Sequence, residues 1–232
     1  MNPALSRKLL AEFLGTYAMI FAGIGAIVVD QVSGGAITHL GVALTWGLIV
    51  MVMIYTFGDL SGAHLNPAVS IGFTVAGRFP LRELPPYLIA QLTGALAASE
   101  TIHLLFPKNS LLGSTLPAGS SLQSFILEFL LTLILMIVIL NVSHGAKEKG
   151  ITAGIAIGAT IGLEALFAGP ICGASMNPAR SLAPALVSGH LEHLWIYLIA
   201  PVLGAIASVP LFRLLRGGKS NADEQINIIR KK

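Results

Sequence analysis

Long apolar runs, broken by short polar or glycine-rich joints, set the rhythm of this chain. Six of them, at 9–29, 37–57, 84–106, 122–140, 151–168 and 194–215, approach the roughly 20 residues of helix needed to cross a bilayer's hydrocarbon core. Each is predicted to be a membrane-spanning helix. Two further stretches, 66–77 and 177–187, are moderately apolar and much shorter. At about 1.5 Å per residue, a helix of that length crosses about half the core. They are predicted to be re-entrant half-helices.

Each short stretch opens with the same triplet, Asn66-Pro67-Ala68 and Asn177-Pro178-Ala179, in matching frames: Ser61-Gly62-Ala63-His64-Leu65 precedes the first and Cys172-Gly173-Ala174-Ser175-Met176 the second. The flanking helices repeat as well. Glu12-Phe13-Leu14 answers to Glu128-Phe129-Leu130, and Tyr87-Leu88-Ile89-Ala90 to Tyr197-Leu198-Ile199-Ala200. Each half therefore holds three spanning helices, with the triplet between the second and the third. Three is odd, so the second half enters the bilayer from the opposite face, as an inverted-topology repeat. The expected architecture is an all-α membrane protein of six transmembrane helices plus two re-entrant half-helices. It forms one channel domain over 1–232, with halves at 7–107 and 121–216 and a cytoplasmic tail at 217–232.

Composition agrees with a membrane solvent: 54% of the 232 residues are hydrophobic and only 11% charged, against about 25% charged in soluble domains. The single cysteine, Cys172, excludes an intramolecular disulfide and a site made of several thiolates. The first apolar run is too long for a removable signal peptide and reads as the first spanning helix. Of the fourteen Lys and Arg residues, twelve fall on one side: Arg7, Lys8, Arg78, Arg82, Lys147, Lys149, Arg213, Arg216, Lys219, Arg230, Lys231 and Lys232. Both termini are then cytoplasmic, in a multi-pass protein of the inner or plasma membrane. The net charge of +3 is accounted for by topology and calls for no nucleic-acid partner.

Asn is a good N-cap and Pro is tolerated at the first helical position, so Asn-Pro-Ala starts a helix. With inverted halves, two such starts meet near the midplane, and the approaches at 61–65 and 172–176 must be non-helical. Irregular backbone at membrane depth survives only if buried in protein or lining a wet cavity. The backbone of Gly62, Ala63, His64 and Leu65, and of Gly173, Ser175 and Met176, is therefore expected to line a pore, offering carbonyl acceptors. The Asn66 and Asn177 amides donate at its centre, where two positive helix ends repel cations and protons. Glu12 and Glu128, costly at membrane depth, are expected to accept hydrogen bonds from these loops. Arg180 has no first-half counterpart, Val69 standing in its place, and an intramembrane charge is a functional candidate. Glu164 is open between the pore mouth, a subunit contact and a buried donor. Cys172 is expected at the outer vestibule. His39, His103, His144, His190 and His193 show no ligand spacing, and no metal or cofactor is expected.

These motifs, with Ala11 to Tyr17, Phe21-Ala22-Gly23, Phe167 to Pro170, Gly173 to Ser181 and Trp195 to Leu198, resemble the major intrinsic protein family of aquaporins and glycerol channels. The likeness to the nodulin-26-like branch and its bacterial relatives is particular. The resemblance implies an aquaporin-like bundle, a homotetramer with one pore per subunit, and passive conduction of small neutral solutes and water. It also implies a four-residue selectivity filter, which falls on Trp46, Ala165, Ala174 and Arg180 when counted from the two Asn residues. Strict water channels are narrower and more polar at the first three positions. Two alanines and an aromatic face suit glycerol, and by the same hole urea and neutral metalloid hydroxides. Ser181 and Ala185, however, stand where glycerol facilitators carry an Asp and a basic residue, so a water-selective channel is the runner-up. A coupled secondary transporter would need a midplane ion site that Asn66 and Asn177 do not supply. An intramembrane hydrolase on Ser175 and His64 has no orienting acid, and no catalytic residue is expected.

Overall fold

The computed structural model describes residues 3–143 and 147–216, with the side chains of 147–151 left aside. The tail 217–232 and His144 lie outside the described residues, as do the side chains of Lys147 and Lys149. Eight α-helices follow in order: α1 (Pro3–Val32), α2 (Thr38–Ser61), α3 (Pro67–Val75), α4 (Leu84–Leu105), α5 (Ser121–Val142), α6 (Lys147–Cys172), α7 (Pro178–Ser188) and α8 (Leu194–Leu215), with one 3-10 turn at Leu81–Glu83. Among the described residues six helices are long and apolar enough to cross a membrane. Several outrun the apolar windows in the sequence, α1 and α6 most of all, because polar first turns continue the helix beyond its greasy core.

Packing repeats with the sequence. α1 lies against α2 and α4 as α5 lies against α6 and α8, while α3 packs on α8 and α7 on α4. Each half-helix thus rests on the last long helix of the other half. Glycine permits the closest of these approaches. A Cβ on Gly94 would collide with the carbonyl of Phe13, and one on Gly204 with that of Phe129, the equivalent place in the second half. Between α2 and α6, a Cβ on Gly47 would stand 2.6 Å from the Gly158 carbonyl oxygen. Small residues at such crossings bring membrane helices into backbone contact.

The half-helices begin as their sequences require. Asn66 accepts the Ala68 N–H on its own side chain at 2.9 Å, and Asn177 accepts those of Ala179 and Arg180 at 3.0 and 3.3 Å, satisfying N–H groups that have no partner inside a helix. The irregular approaches are one residue shorter than expected from the sequence. Ser61 and Cys172 are the last helical residues, because the left-handed turn falls on Gly62 (φ 88°) and Gly173 (φ 86°). Both glycines still donate back into their helices, to Gly58 O and Gly169 O at 2.9 Å.

Beyond each glycine the chain stays unusual, with Ala63, Leu65, Ala174 and Met176 all at φ between 41° and 53°. Left-handed non-glycine backbone persists only where its surroundings over-determine it, and here a buried carboxylate does so. Glu12 accepts the N–H groups of His64 and Leu65 at 2.9 and 2.8 Å, with the Ser61 hydroxyl and the Gln91 amide at 2.7 and 2.8 Å. Glu128 accepts the N–H groups of Ser175 and Met176 at 2.7 and 2.8 Å. Glu164 differs: it is 2% exposed, and among the described residues neither carboxyl oxygen has a hydrogen-bond partner.

This contrast predicts opposite outcomes for two substitutions in thermal unfolding of the purified protein. Glu128→Leu orphans two buried N–H groups and should cost about 2–6 kcal/mol. Glu164→Leu removes a buried carboxyl that satisfies nothing and should leave the unfolding temperature unchanged or raise it. Equal destabilisation by both would show that Glu164 is a support in its own right. Gly204→Val should prevent recovery of folded protein, since the Phe129 backbone cannot retreat.

Candidate functional site

A cavity of about 980 Å³ is lined from α1, α2, α3, α5, α6, α7 and both irregular approaches. Trp46 and Asp59 both lie on its wall; thirteen positions apart on α2, they are separated by about 20 Å along the helix axis. The cavity therefore runs lengthwise through the bundle. Two stripes at four-residue spacing make one side of it: Trp46, Val50, Ile54 and Gly58 from α2, and Ala153, Ile157, Ile161 and Ala165 from α6. Such spacing keeps successive side chains on one helix face. This wall is almost wholly apolar.

The facing wall is backbone and amide. Gly62, Ala63, His64, Leu65 and Asn66 line it from the first half, and Ala174, Ser175, Met176 and Asn177 from the second. In a trans peptide, N–H and C=O point in opposite directions. Because the N–H groups of His64 and Leu65 are turned to Glu12, the carbonyls of Ala63 and His64 are turned away from it. Glu128 does the same for Ala174 and Ser175. Both carboxylates thus aim carbonyl acceptors toward the side on which the cavity lies. Gly173, Pro67, Ala68, Pro178 and Ala179 are off the wall; the two prolines and two alanines are buried in the starts of α3 and α7, where they shape the helix ends.

At the middle, the halves are joined by a reciprocal pair. The Asn66 amide donates to Met176 O at 2.8 Å, and the Asn177 amide donates to Leu65 O at 3.0 Å. A side-chain amide carries two N–H donors, so one on each Asn is left beside the cavity. Both half-helices therefore start at one point, and the partial positive charge of their N-termini is concentrated there.

Toward the other end Arg180 is 4% exposed, and one guanidinium N–H donates to Gly113 O at 2.7 Å. The Trp46 ring lies under it, 4.9 Å from the guanidinium carbon to the ring centre, within cation–π range. Gly113 sits in a left-handed turn at φ 65° between α4 and α5, where a Cβ would stand 3.0 Å from Ile24 Cγ2. Ala165 and Ala174 share the wall with this pair. All four positions counted from the two Asn residues line the same cavity.

His64 lines the cavity and is also held by protein: Nδ1 is 3.0 Å from the Ser70 hydroxyl, and the ring stacks on Phe73 and meets Phe79 and Tyr87. Ser175 Oγ is engaged with Asn177 O and Ser181 Oγ at 2.9 and 2.6 Å. The two thus serve their own halves and do not face each other as nucleophile and base. Cys172 is not at a vestibule, as the sequence reading had it. It closes α6 fully buried, its thiol 3.5 Å from Ala168 O, because the helix continues four residues beyond the apolar run and turns this face inward.

Sequence reasoning passed over three contributors. Gly113 anchors Arg180 from 67 positions away, and nothing in its surroundings marks it. Gln91 bridges Glu12 and the Ser70 hydroxyl; a polar residue inside a spanning run was the available signal, hidden because its repeat counterpart is Pro201. Tyr87 donates to Ser61 O at 2.8 Å.

The chain is similar to known proteins along most of its length. A family model described as the major intrinsic protein matches residues 1–212. Aquaporin NIP1-1 of Zea mays is 49% identical over 211 residues, covering 90% of this chain and 75% of that protein. Nodulin-26 of Glycine max is 48% identical over 211 residues, covering 90% and 78%. The crystal structure of the aquaglyceroporin from Plasmodium falciparum superposes with a TM-score of 0.78 at 30% identity, covering 90% of this chain and 99% of that one. With its family model matched almost from end to end and its fold shared with a solved member, the chain belongs to the major intrinsic protein family.

Proposed function

We propose that this chain is a passive transmembrane channel for small uncharged solutes, glycerol and its like, together with water, and that it excludes protons and ions. The observation that carries this reading is the two-sided cavity, with an apolar stripe on one flank and carbonyls, Asn amides and a guanidinium on the other. A permeant with a carbon edge and a row of hydroxyls matches both sides at once, replacing the hydrogen bonds it leaves in water. Trp46, Ala165, Ala174 and Arg180 form the filter in this account, and Asn66 and Asn177 the midplane. Urea and neutral hydroxides of metalloids suit the same opening. Cations meet two helix N-termini and Arg180, and lose their hydration to donors of the wrong sign.

The water-selective alternative rests on Ser181 and Ala185. Both are buried and absent from the cavity wall, and Ser181 is occupied with Ser175 and Thr115. The aperture is set instead by the four residues on the wall, two of them alanine.

The whole chain acts in this proposal as one unit of two inverted halves, 7–107 and 121–216, in a cell membrane with both termini cytoplasmic. Supporting the orientation, Lys8 pairs with Glu83 at 3.1 Å, Arg78 and Arg216 both lie over the Phe212 ring, and Arg213 reaches Val75 O. The basic residues of four different helices and joints therefore gather at one end, where the positive-inside tendency puts the cytoplasm. A homotetramer with one pore per subunit completes the reading, taken from the family.

Stopped-flow light scattering on proteoliposomes tests it, with glycerol, water, urea and boric acid compared against empty vesicles. Fast glycerol entry is expected; fast water with no solute entry would establish the water-selective alternative. Ala165→His combined with Ala174→Thr should lower glycerol flux about tenfold or more, a barrier change of about 1.4 kcal/mol, and lower water flux much less. Equal suppression of both would undermine the filter assignment.

A further inference from the structure

Two of the four filter residues stand on α2 and α6. Toward one end of this helix pair α2 side chains seat on α6, Met51 against Gly158 and Tyr55 against Gly154. Nearer the filter, Gly47 meets Gly158 and Gly162 backbone to backbone, a contact that allows close approach without side chains to fix the register. Something else must hold their outer ends in register.

α6 contains Pro170, which has no N–H, so the carbonyl of Leu166, four residues earlier, loses its helical donor. In a spanning helix such a freed carbonyl takes its donor from a neighbouring helix, a side chain or water. His39, at the start of α2, supplies the partner: its Nε2 lies 2.7 Å from Leu166 O. A carbonyl only accepts, so Nε2 carries the hydrogen. The seat is shaped for the ring, since a Cβ on Gly169 would come within 3.0 Å of His39 Cε1. Leu166 is the neighbour of Ala165, and His39 is seven positions, about 10 Å, from Trp46 along α2. In the first half, Asp59 occupies the place of Pro170, counted from the Asn, and α2 runs on unbroken to Ser61. The clamp thus joins the two halves through a carbonyl that only α6 frees by a proline.

We propose that His39 is a specificity-determining positioning residue, whose Nε2–H to Leu166 O bond sets the spacing of Trp46 and Ala165 across the filter. The proposal rests on the solute-channel reading above. Without the bond, the glycine contact slides and the aperture loses definition.

The test uses the full chain in proteoliposomes and compares glycerol with the four-carbon polyol erythritol. His39→Leu, matched to wild type in folded protein by gel filtration, should reduce the preference for glycerol over erythritol about threefold or more, the worth of one unmade hydrogen bond. His39→Gln, which keeps an N–H donor, should restore much of it. Pro170→Ala returns a helical donor to Leu166 O but leaves α2 untied, so His39→Leu with Pro170→Ala should keep the lowered preference of His39→Leu, a non-additivity expected of coupled sites. An unchanged preference in His39→Leu, or a double variant that regains the wild-type preference, overturns the proposal. If His39→Leu does not fold, His39→Gln and the double variant, in which no carbonyl is orphaned, carry the comparison. Wild type that passes neither polyol would sink the solute-channel reading instead. The clamp is then decided by 15N NMR of labelled histidine, which should show His39 protonated on Nε2 and hydrogen-bonded; the Nδ1–H tautomer contradicts it.

Discussion

A backbone that leaves its helix at membrane depth must find acceptors for its N–H groups, and in this protein two glutamates provide them. Glu12 and Glu128 each take two consecutive N–H groups from a four-residue segment, 62–65 or 173–176, in which three residues are left-handed. Neither segment is a conformation that alanine, leucine or methionine would adopt unaided, and its N–H groups are turned to the buried side, away from the cavity. The carboxylates do two things at once. They fix the strained loops, and by taking the N–H side of each peptide they commit the carbonyl side to the cavity. The helix starts at Asn66 and Asn177, their reciprocal bonds to Met176 O and Leu65 O, and the placing of Arg180 one turn further on all depend on loops held in this way.

The halves share that scaffold and diverge around it. Glu12 has four donors, the extra two being Ser61 and Gln91; at the matching places the second half has Cys172 and Pro201, and Glu128 keeps the two backbone N–H groups. Val69 is answered by Arg180, Asp59 by Pro170 and Met53 by Glu164. The first half is thus the better-bonded support, and the second carries the arginine on the cavity wall and the proline within its long helix. A duplicated scaffold can specialise in this fashion because the inherited carboxylate and Asn-Pro-Ala start keep the geometry while neighbouring positions change.

Much of this was legible in the sequence for a physical reason. Spanning helices announce themselves by length and apolarity, and the paired triplets announce where two helices start. Trp46, Ala165 and Ala174 were implied by the family resemblance, and the count from each Asn lands on the cavity wall because helix and a short loop of fixed length connect them. Where the outcome depends on which way one side chain turns, counting fails: Cys172 is buried instead of lining a vestibule because α6 ends four residues later than its apolar run. Contacts between distant segments were equally hidden. Gly113 holding Arg180, Gln91 reaching Glu12 and His39 meeting Leu166 join positions 67, 79 and 127 apart, and no local pattern encodes them. Glu164 stood out as an expensive residue, yet only the structure shows that it is buried off the cavity, without a hydrogen-bond partner among the described residues.

The central claim is that one amphipathic cavity, walled by apolar stripes from α2 and α6 and by the loops that Glu12 and Glu128 hold, is the path of the solute. The most direct measurement is a high-resolution structure of the protein in membrane mimetic equilibrated with glycerol. The account predicts glycerol density inside this cavity, with hydroxyls within hydrogen-bond distance of the Arg180 guanidinium and the Asn66 and Asn177 amides, and its carbon edge against Trp46. Glycerol found only in the apolar groove between α2 and α6 on the outer surface, with the cavity holding none, would contradict it.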